Sequence, residues 1–203
     1  GIPYQLAESG GLPTYTQVDN RTDLQTYPLS TGSWSCIRIG SDGEQIPGFS
    51  DGLNGGVTVP IAERILCTAT NQTGRLTLAK QVVNESGGTA VASDFTLRAI
   101  PDDTPPVEGL ADVEVTGAAP EDAAAVEIRP NHVYTLSETG PDGYDLTELN
   151  CFVGGVPQPR TRLSVAPGED VICVFVNTDS PAELTLRKQV EAGTTGATDT
   201  PAD

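Results

Sequence analysis

The stretch Leu76-Thr77-Leu78-Ala79-Lys80-Gln81-Val82 decides how the rest of this chain is interpreted. Apolar and polar side chains alternate along it with the period of two that is typical of a β-strand. That period places Leu76, Leu78, Lys80 and Val82 on one face, so a lysine lies in line with three apolar side chains. Lysine is rarely fully buried unless it is paired. Taken alone, the stretch therefore favours a lysine on an edge strand or one that extends to solvent.

A second copy of this heptapeptide occurs near the end of the chain, as Leu184-Thr185-Leu186-Arg187-Lys188-Gln189-Val190. The copies start 108 residues apart (184 minus 76), and the lysine keeps its place. Residues 4–10 and 134–140 also match, each as a strand that leads into a Pro/Gly turn. The chain is thus predicted to contain a repeat of domain size. We expect a first block (residues 1–74) that is the C-terminal part of one repeat, a second block (residues 75–180) that is a complete repeat, and a tail (residues 181–203) that supplies the opening strand of a further repeat or a donor strand.

The composition predicts an all-β protein, because glycine, proline and strand-forming residues are frequent and no stretch forms a convincing amphipathic helix. A net charge of −17 argues against binding to nucleic acid or to anionic lipid. No apolar run is long enough to span a membrane. With no methionine and no signal peptide, we expect a processed chain or a segment of a longer one.

Four cysteines are present, none in a CxxC motif, and the chain has one histidine, which argues against a zinc site. An even number of cysteines in a sequence of secreted character favours disulfides outside the reducing cytosol. Four cysteines allow three pairings. Each block contains one early and one late cysteine, which favours Cys36–Cys67 and Cys151–Cys173.

The first block has the longer interior loops, since Glu8 and Asn71 are 63 residues apart (71 minus 8) and Glu138 and Asn177 only 39 (177 minus 138). We expect the Gly-rich residues 41–56 to account for much of this difference. Their acidic side chains fit no EF-hand spacing, and we expect neither a metal nor a cofactor.

Polar side chains fall on the apolar faces of two further strands of the second block. Glu138 follows Tyr134 and Leu136 with a period of two, and Asn177 continues a face that includes Cys173 and Phe175. Three polar groups on core faces are satisfied if Lys80, Glu138 and Asn177 meet. In the first block, Glu8 and Asn71 are expected on core faces by the same reasoning.

Meeting in a core would make these groups reactive. Desolvation lowers the pKa of a lysine and raises that of a glutamate. A neutral Lys80 amine is a nucleophile, and a protonated Glu138 can transfer protons during attack on the Asn177 carboxamide. The product is a Lys–Asn isopeptide bond, formed with release of ammonia. The alternative is a buried Lys–Glu pair beside a hydrogen-bonded asparagine that does not react.

Three motifs together resemble the prealbumin-like (SpaA-like, Cna B-type) domain of Gram-positive cell-surface proteins and pilins: Leu-Thr-Leu-x-Lys-x-Val, Tyr-Thr-Leu-Ser-Glu-Thr-Gly-Pro-Asp-Gly-Tyr at 134–144, and Val-Phe-Val-Asn-Thr at 174–178. Residues 87–97 are similar to actinobacterial members that carry tandem copies. The resemblance implies tandem Ig-like β-sandwich domains and an intramolecular isopeptide bond between Lys80 and Asn177, promoted by Glu138. The cysteine pair departs from many members, and a disulfide can serve the same stapling role.

The leading functional hypothesis is a structural, non-enzymatic stalk or pilus-like filament on the bacterial surface or cell wall, whose partners are copies of itself or adjacent repeats. The alternative is an adhesin or ligand-binding module. A carbohydrate-binding surface would need an exposed aromatic platform, whereas Trp34, beside Cys36, is expected in the core. One histidine and no nucleophile-elbow motif argue against a hydrolase, so self-catalysed isopeptide formation is the only reaction expected.

The two ends of the chain complement each other. The first block contains Glu8 and Asn71 with no lysine strand before them, and the tail contains Lys188 with no glutamate or asparagine after it. One hypothesis is a longer array whose missing parts lie beyond both ends. The other is donation of the strand at 184–190 to the first block of a neighbouring chain, with a bond from Lys188 to Asn71. The sequence leaves both open.

Overall fold

The computed structural model describes residues 1–18, 34–52, 55–102 and 106–189, except for the side chains of residues 158 and 159. Apart from a single 3₁₀ turn at Ala92–Asp94, every element in these ranges is a β-strand, which confirms the all-β prediction. No described helix is long and apolar enough to cross a membrane. The strands are β1 (Ile2–Gln5), β2 (Thr16–Val18), β3 (Ser35–Ile39), β4 (Gln45–Asp51), β5 (Gly56–Val59), β6 (Ile65–Thr68), β7 (Thr70–Gln72), β8 (Gly74–Val83), β9 (Thr96–Pro101), β10 (Val113–Thr116), β11 (Ala125–Ile128), β12 (Val133–Thr139), β13 (Tyr144–Val153), β14 (Val156–Pro159), β15 (Arg162–Ser164) and β16 (Asp170–Asp179).

The second block is a sandwich of two sheets. One sheet has the order β11-β8-β16-β13-β14 and the other the order β10-β9-β12-β15. All neighbouring strands are antiparallel except β8 and β16, which are parallel. Apolar side chains from both sheets form one buried core, as expected when two sheets pack face to face. Its largest members include Leu76, Phe95, Leu97, Ile128, Tyr134, Leu163 and Phe175.

Strand β8 lies in the interior of its sheet, between β11 and β16. Leu76, Leu78 and Lys80 are all buried, with at most 2% of their surface exposed. The interpretation of Lys80 as an edge-strand or solvent-directed lysine is therefore wrong. A period of two identifies the face of a strand, but it carries no information about which strands lie on either side.

The first block repeats part of this arrangement in three small sheets, with the orders β1-β5, β2-β7 and β4-β3-β6. Its cross-strand pairs have direct counterparts in the second block. These are Tyr4↔Val57 with Tyr134↔Leu163, Gln17↔Asn71 with Leu146↔Asn177, and Cys36↔Cys67 with Cys151↔Cys173. Strands β2 and β3 together thus correspond to β13, and β6 and β7 together to β16.

Counterparts of β8, β9, β10 and β11 are absent from the described part of the first block. As a result its strands have little to pack against, and Tyr4 is 51% exposed. The prediction that Glu8 and Asn71 face a core is wrong, because both side chains are exposed. The period of two that links Ile65 to Asn71 also breaks at Ala69, where β6 and β7 separate.

The extra length of the first block lies mainly before Cys36, not in residues 41–56. Tyr15 and Tyr144 occupy equivalent positions, because each lies two residues before the strand partner of Asn71 or Asn177. From there to the next cysteine is 21 residues in the first block (36 minus 15) and 7 in the second (151 minus 144). The two cysteines of each block are 31 and 22 residues apart. Residues 41–56, which contain β4, therefore account for the smaller part of the difference.

Residues 181–189 of the tail are exposed, and none of them is in a strand. A β-strand needs a neighbour to accept and donate its backbone hydrogen bonds. Val190 and the residues after it lie outside the described ranges. The strand predicted at 184–190, and its pairing with another chain or repeat, stays a prediction.

Candidate isopeptide site

The structure brings Lys80, Glu138 and Asn177 together inside the second block. Lys80 lies on β8 and Asn177 on the adjacent parallel strand β16, two residues beyond the partner of Lys80. Glu138 reaches them from β12 in the opposite sheet. The Lys80 Nζ lies 2.6 Å from Glu138 Oε2 and also donates a hydrogen bond to Asn177 Oδ1. The predicted meeting of three polar groups therefore occurs.

Burial governs the electrostatics of this site. Lys80 and Asn177 are 1% and 3% exposed, and the Lys80 Nζ lies 4.0 Å from the centroid of the Phe95 ring. Desolvation lowers the pKa of Lys80 from its ordinary value, although the hydrogen bond and charge of Glu138 partly oppose this shift. The amine is thus brought closer to the neutral form, which is the nucleophilic one.

Phe95 is a member of the site that the sequence pattern does not indicate. It precedes β9, and its ring forms an apolar wall beside the lysine amine. Two glycines make room for this arrangement. A Cβ atom on Gly140 would overlap the Phe95 ring, and one on Gly117 would lie 3.2 Å from the Lys80 Cβ and overlap the Ala92 carbonyl. Neither glycine forms a pattern with the lysine that a sequence alone could reveal.

The chain contains both predicted disulfides, Cys36–Cys67 and Cys151–Cys173. Each joins residues that lie directly opposite one another on neighbouring antiparallel strands. The disulfides therefore staple strands within one sheet, and the second lies in the same sheet as Lys80 and Asn177. Trp34, near the first disulfide, is half-buried, so its predicted place in the core is met only in part.

Glu8 and Asn71 also meet, although no lysine lies between them. Asn71 Nδ2 donates a hydrogen bond of 2.5 Å to Glu8 Oε1. Both residues line an open groove of about 350 Å³ at the junction of the two blocks. Lys188 is not part of this pair and lies in the exposed tail.

Two further residues of structural importance carried no signal in the sequence. Arg129 joins the blocks, because its Nη1 donates to the carbonyl oxygens of Pro13 at 2.9 Å and Tyr15 at 2.5 Å.

Asp179, at the end of β16, accepts hydrogen bonds from the backbone N–H groups of residues 85, 86 and 88. Burial alone would raise the pKa of Asp179, but these hydrogen bonds outweigh it and lower that pKa. No group of three or more potential metal ligands occurs among the described residues.

Comparison with models of known protein families identifies the family to which this chain belongs. A model of the prealbumin-like fold domain matches residues 71–175 and 179–203, more than half of the chain. The chain belongs to this family. The match confirms the predicted resemblance, while the actinobacterial affinity of residues 87–97 stays a prediction.

Among solved structures, two major pilins of Streptococcus pyogenes are similar to this chain. Each is 12% identical to it, with TM-scores of 0.37 and 0.39. The alignments cover 85% of this chain and 64% and 65% of the pilins, so the chain spans just under two thirds of their length. A search of curated proteins found no match.

Proposed function

We propose that this chain is a structural segment of an extracellular bacterial stalk or filament, built from tandem β-sandwich domains that are stapled by disulfides and by self-formed isopeptide bonds. The observation that carries the proposal is the contact of buried Lys80 with both Glu138 and Asn177. Two disulfides and a strongly acidic surface support a location outside the cell. The partners are adjacent repeats or further copies of the chain.

The bond-forming step uses only these three side chains. The neutral Lys80 amine attacks Cγ of Asn177, a C–N bond forms, and the bond from Cγ to Nδ2 breaks. Glu138 accepts a proton from the attacking nitrogen and delivers one to the leaving nitrogen, which departs as ammonia. No oxidant or other reactant is needed. Because the reacting groups are held in contact, the reaction is intramolecular and has a high effective concentration.

A bond at this position suits a load-bearing domain. Lys80 and Asn177 are 97 residues apart in the sequence but lie on neighbouring strands, near the start and the end of the block. A pulling force along the chain would pass from β8 through the isopeptide bond into β16. The residues between them would bear no tension. Each such block would therefore keep its length under force.

Pulling single molecules under reducing conditions tests this function. In the wild-type chain we expect no extension from residues 80–177. In Lys80→Ala the same residues should unfold and lengthen the chain by about 330 Å, at about 3.4 Å per residue. Glu138→Gln keeps the lysine and asparagine but removes the proton carrier, and should behave like Lys80→Ala. Extension of the wild-type second block by the full length would refute the proposed load-bearing bond.

A further inference from the structure

We propose that Tyr144 and Asp179 are positioning residues for the isopeptide site. Both anchor the connection between β8 and β9 (residues 84–95), which ends with Phe95. The anchored connection holds the Phe95 ring against the Lys80 amine and so keeps water away from that amine. The inference rests on the isopeptide bond proposed above, and it assigns two further residues to that reaction.

The connection between β8 and β9 passes close to the lysine side chain. A Cβ atom on Gly117 would lie 3.2 Å from the Lys80 Cβ and would overlap the Ala92 carbonyl oxygen, so the connection packs beside the lysine stem. Further along, the centroid of the Phe95 ring lies 4.0 Å from the Lys80 Nζ, and Phe95 is 1% exposed. A shift of this connection would therefore change the access of water to the amine.

Asp179 holds the first half of the connection. Its carboxylate accepts backbone hydrogen bonds from Glu85 at 2.7 Å, Ser86 at 2.8 Å and Gly88 at 2.7 Å. Hydrogen bonds to an ionised acceptor are stronger than those between neutral groups, and Asp179 is only 5% exposed. The segment that it holds contains two adjacent glycines, at 87 and 88, which have high conformational freedom unless they are tied down.

Tyr144 holds both ends of this segment and also contacts Phe95. Its hydroxyl accepts a hydrogen bond of 2.9 Å from the Ala90 N–H and donates one of 2.6 Å to Asn84 Oδ1. Its ring packs edge-on against the Phe95 ring, with the centroids 5.9 Å apart and an angle of 88° between the planes. This edge-to-face geometry is favourable for an aromatic pair. One side chain thus fixes both the connection and the ring that covers the lysine.

The two anchors form a single support. Tyr144 and Asp179 lie directly opposite one another, on the paired strands β13 and β16. Asp179 follows Asn177 by two residues on β16. The strand that presents the carboxamide to the lysine therefore also carries an anchor for the segment that covers the lysine.

Access of water matters because the lysine amine attacks only in its neutral form. Burial lowers the pKa of Lys80, and Glu138, the charged group that faces the amine from β12, partly opposes this shift. From β16 the amine is faced by the neutral carboxamide of Asn177. A loosened connection would admit water and return the pKa of Lys80 towards its ordinary value. Less of the amine would then be neutral near pH 7, so the bond would form more slowly although every reacting group is still present.

Titration of Lys80 by NMR tests the inference directly. The background is Asn177→Ala, which cannot form the bond and keeps the lysine free. The chain contains two lysines, so isotope-labelled lysine gives two signals, and Lys188→Arg assigns the one from Lys80. In this background Lys80 should titrate below the ordinary range of lysine. Adding Tyr144→Phe or Asp179→Asn should move its midpoint to higher pH.

The rate of bond formation gives a second measurement. Chain isolated in urea from inclusion bodies, and shown by its mass to lack the bond, is diluted into refolding buffer. The reduced mass at timed intervals then reports the loss of one ammonia. Near pH 7, Tyr144→Phe and Asp179→Asn should each slow this loss about 10-fold, which corresponds to the strength of about one hydrogen bond. Raising the pH should restore most of the lost rate.

Tyr134→Phe is the matched control, because it removes a buried hydroxyl whose hydrogen bond goes to Arg129 and not to the connection. It should leave the Lys80 midpoint unchanged. An unchanged midpoint in both Tyr144→Phe and Asp179→Asn would overturn the inference, even if bond formation is slower, since the slowing would then reflect a general loss of stability. A wild-type chain that folds and keeps its full mass would count against the isopeptide bond itself. The titration in Asn177→Ala would still decide whether the two anchors act on the lysine.

Discussion

Both blocks bring a glutamate and an asparagine close together, but among the described residues only the second block has a lysine strand beside them. In the second block, Lys80 on β8 contacts both Glu138 and Asn177, and Asn177 is 3% exposed. In the first block, Glu8 and Asn71 bond directly to each other and are exposed. In the second block, strand β8 brings a buried amine to these two groups, and desolvation by burial lowers the pKa of that amine. We propose that the carboxyl and carboxamide groups become reactive only where that strand covers them.

Replacing the equivalent tyrosines should give the largest contrast between the blocks. Tyr134 is fully buried, and its hydroxyl accepts a hydrogen bond from the Arg129 backbone, whereas Tyr4 is 51% exposed. Tyr134→Ala should lower the free energy of unfolding by about 3–5 kcal/mol through lost burial and a cavity. Tyr4→Ala should change it by less than about 0.5 kcal/mol. Chemical denaturation followed by circular dichroism measures both, and equal effects would contradict the difference in packing.

The two disulfides should give the next largest effects, on stability and on the ease of reduction. Removing Cys151–Cys173 by a double alanine substitution should cost roughly 3 kcal/mol of stability, from the lost constraint on the unfolded chain. With limiting reductant, Cys36–Cys67 should open first, because Cys67 is half-buried while Cys151 and Cys173 are both buried. Differential alkylation and peptide mapping measure the order. Reduction of the second-block disulfide first would show that the first block is the better protected.

Lys80 should make the stability of the second block depend on pH in the alkaline range. Asn177→Ala cannot form the bond and keeps Lys80, whose folded pKa is lowered by desolvation. Between that lowered pKa and the ordinary value of about 10.4, the unfolded chain binds more protons, so stability should rise as pH rises. Denaturation of Asn177→Ala across this range measures the effect. Lys80→Met in the same background removes the titrating group and should abolish the rise.

A smaller effect is expected at the end of β16. Asp179 has a lowered pKa, so its carboxylate should stabilise the fold near neutral pH, and this contribution should be lost as pH falls below about 3.9 and through the lowered pKa. The first block has Thr73 at the equivalent position and lacks this contribution. Asp179→Asn should lower neutral-pH stability and flatten its acid dependence. Asp112→Asn, at an exposed carboxylate, is the control and should change neutral-pH stability by less than about 0.5 kcal/mol.

Much of the second block could be predicted from the sequence, because repeated motifs and a period of two locate strands and their faces. These signals point to Lys80, Glu138 and Asn177 and to both disulfides. The neighbours of a strand are set by tertiary pairing, so the position of Lys80 inside a sheet could not be predicted. For the same reason, the period of two places Glu8 and Asn71 on core faces, although both side chains are exposed in the structure. Phe95 and Arg129 act through contacts with residues that are distant in sequence, and no spacing pattern predicts these contacts.

Peptide mapping of the purified monomer by tandem mass spectrometry tests the central claim most directly. It shows in one sample whether the peptides that contain Asn71 and Asn177 are cross-linked. We predict that the peptide containing Lys80 is joined to the one containing Asn177, with the loss of one ammonia. The peptide containing Asn71 should be linear and unmodified. Both the join and the ammonia loss should disappear in Glu138→Ala. The claim is that Lys80 and Asn177 react because strand β8 buries them. Separate, unmodified peptides for these two residues in the wild-type chain would contradict it.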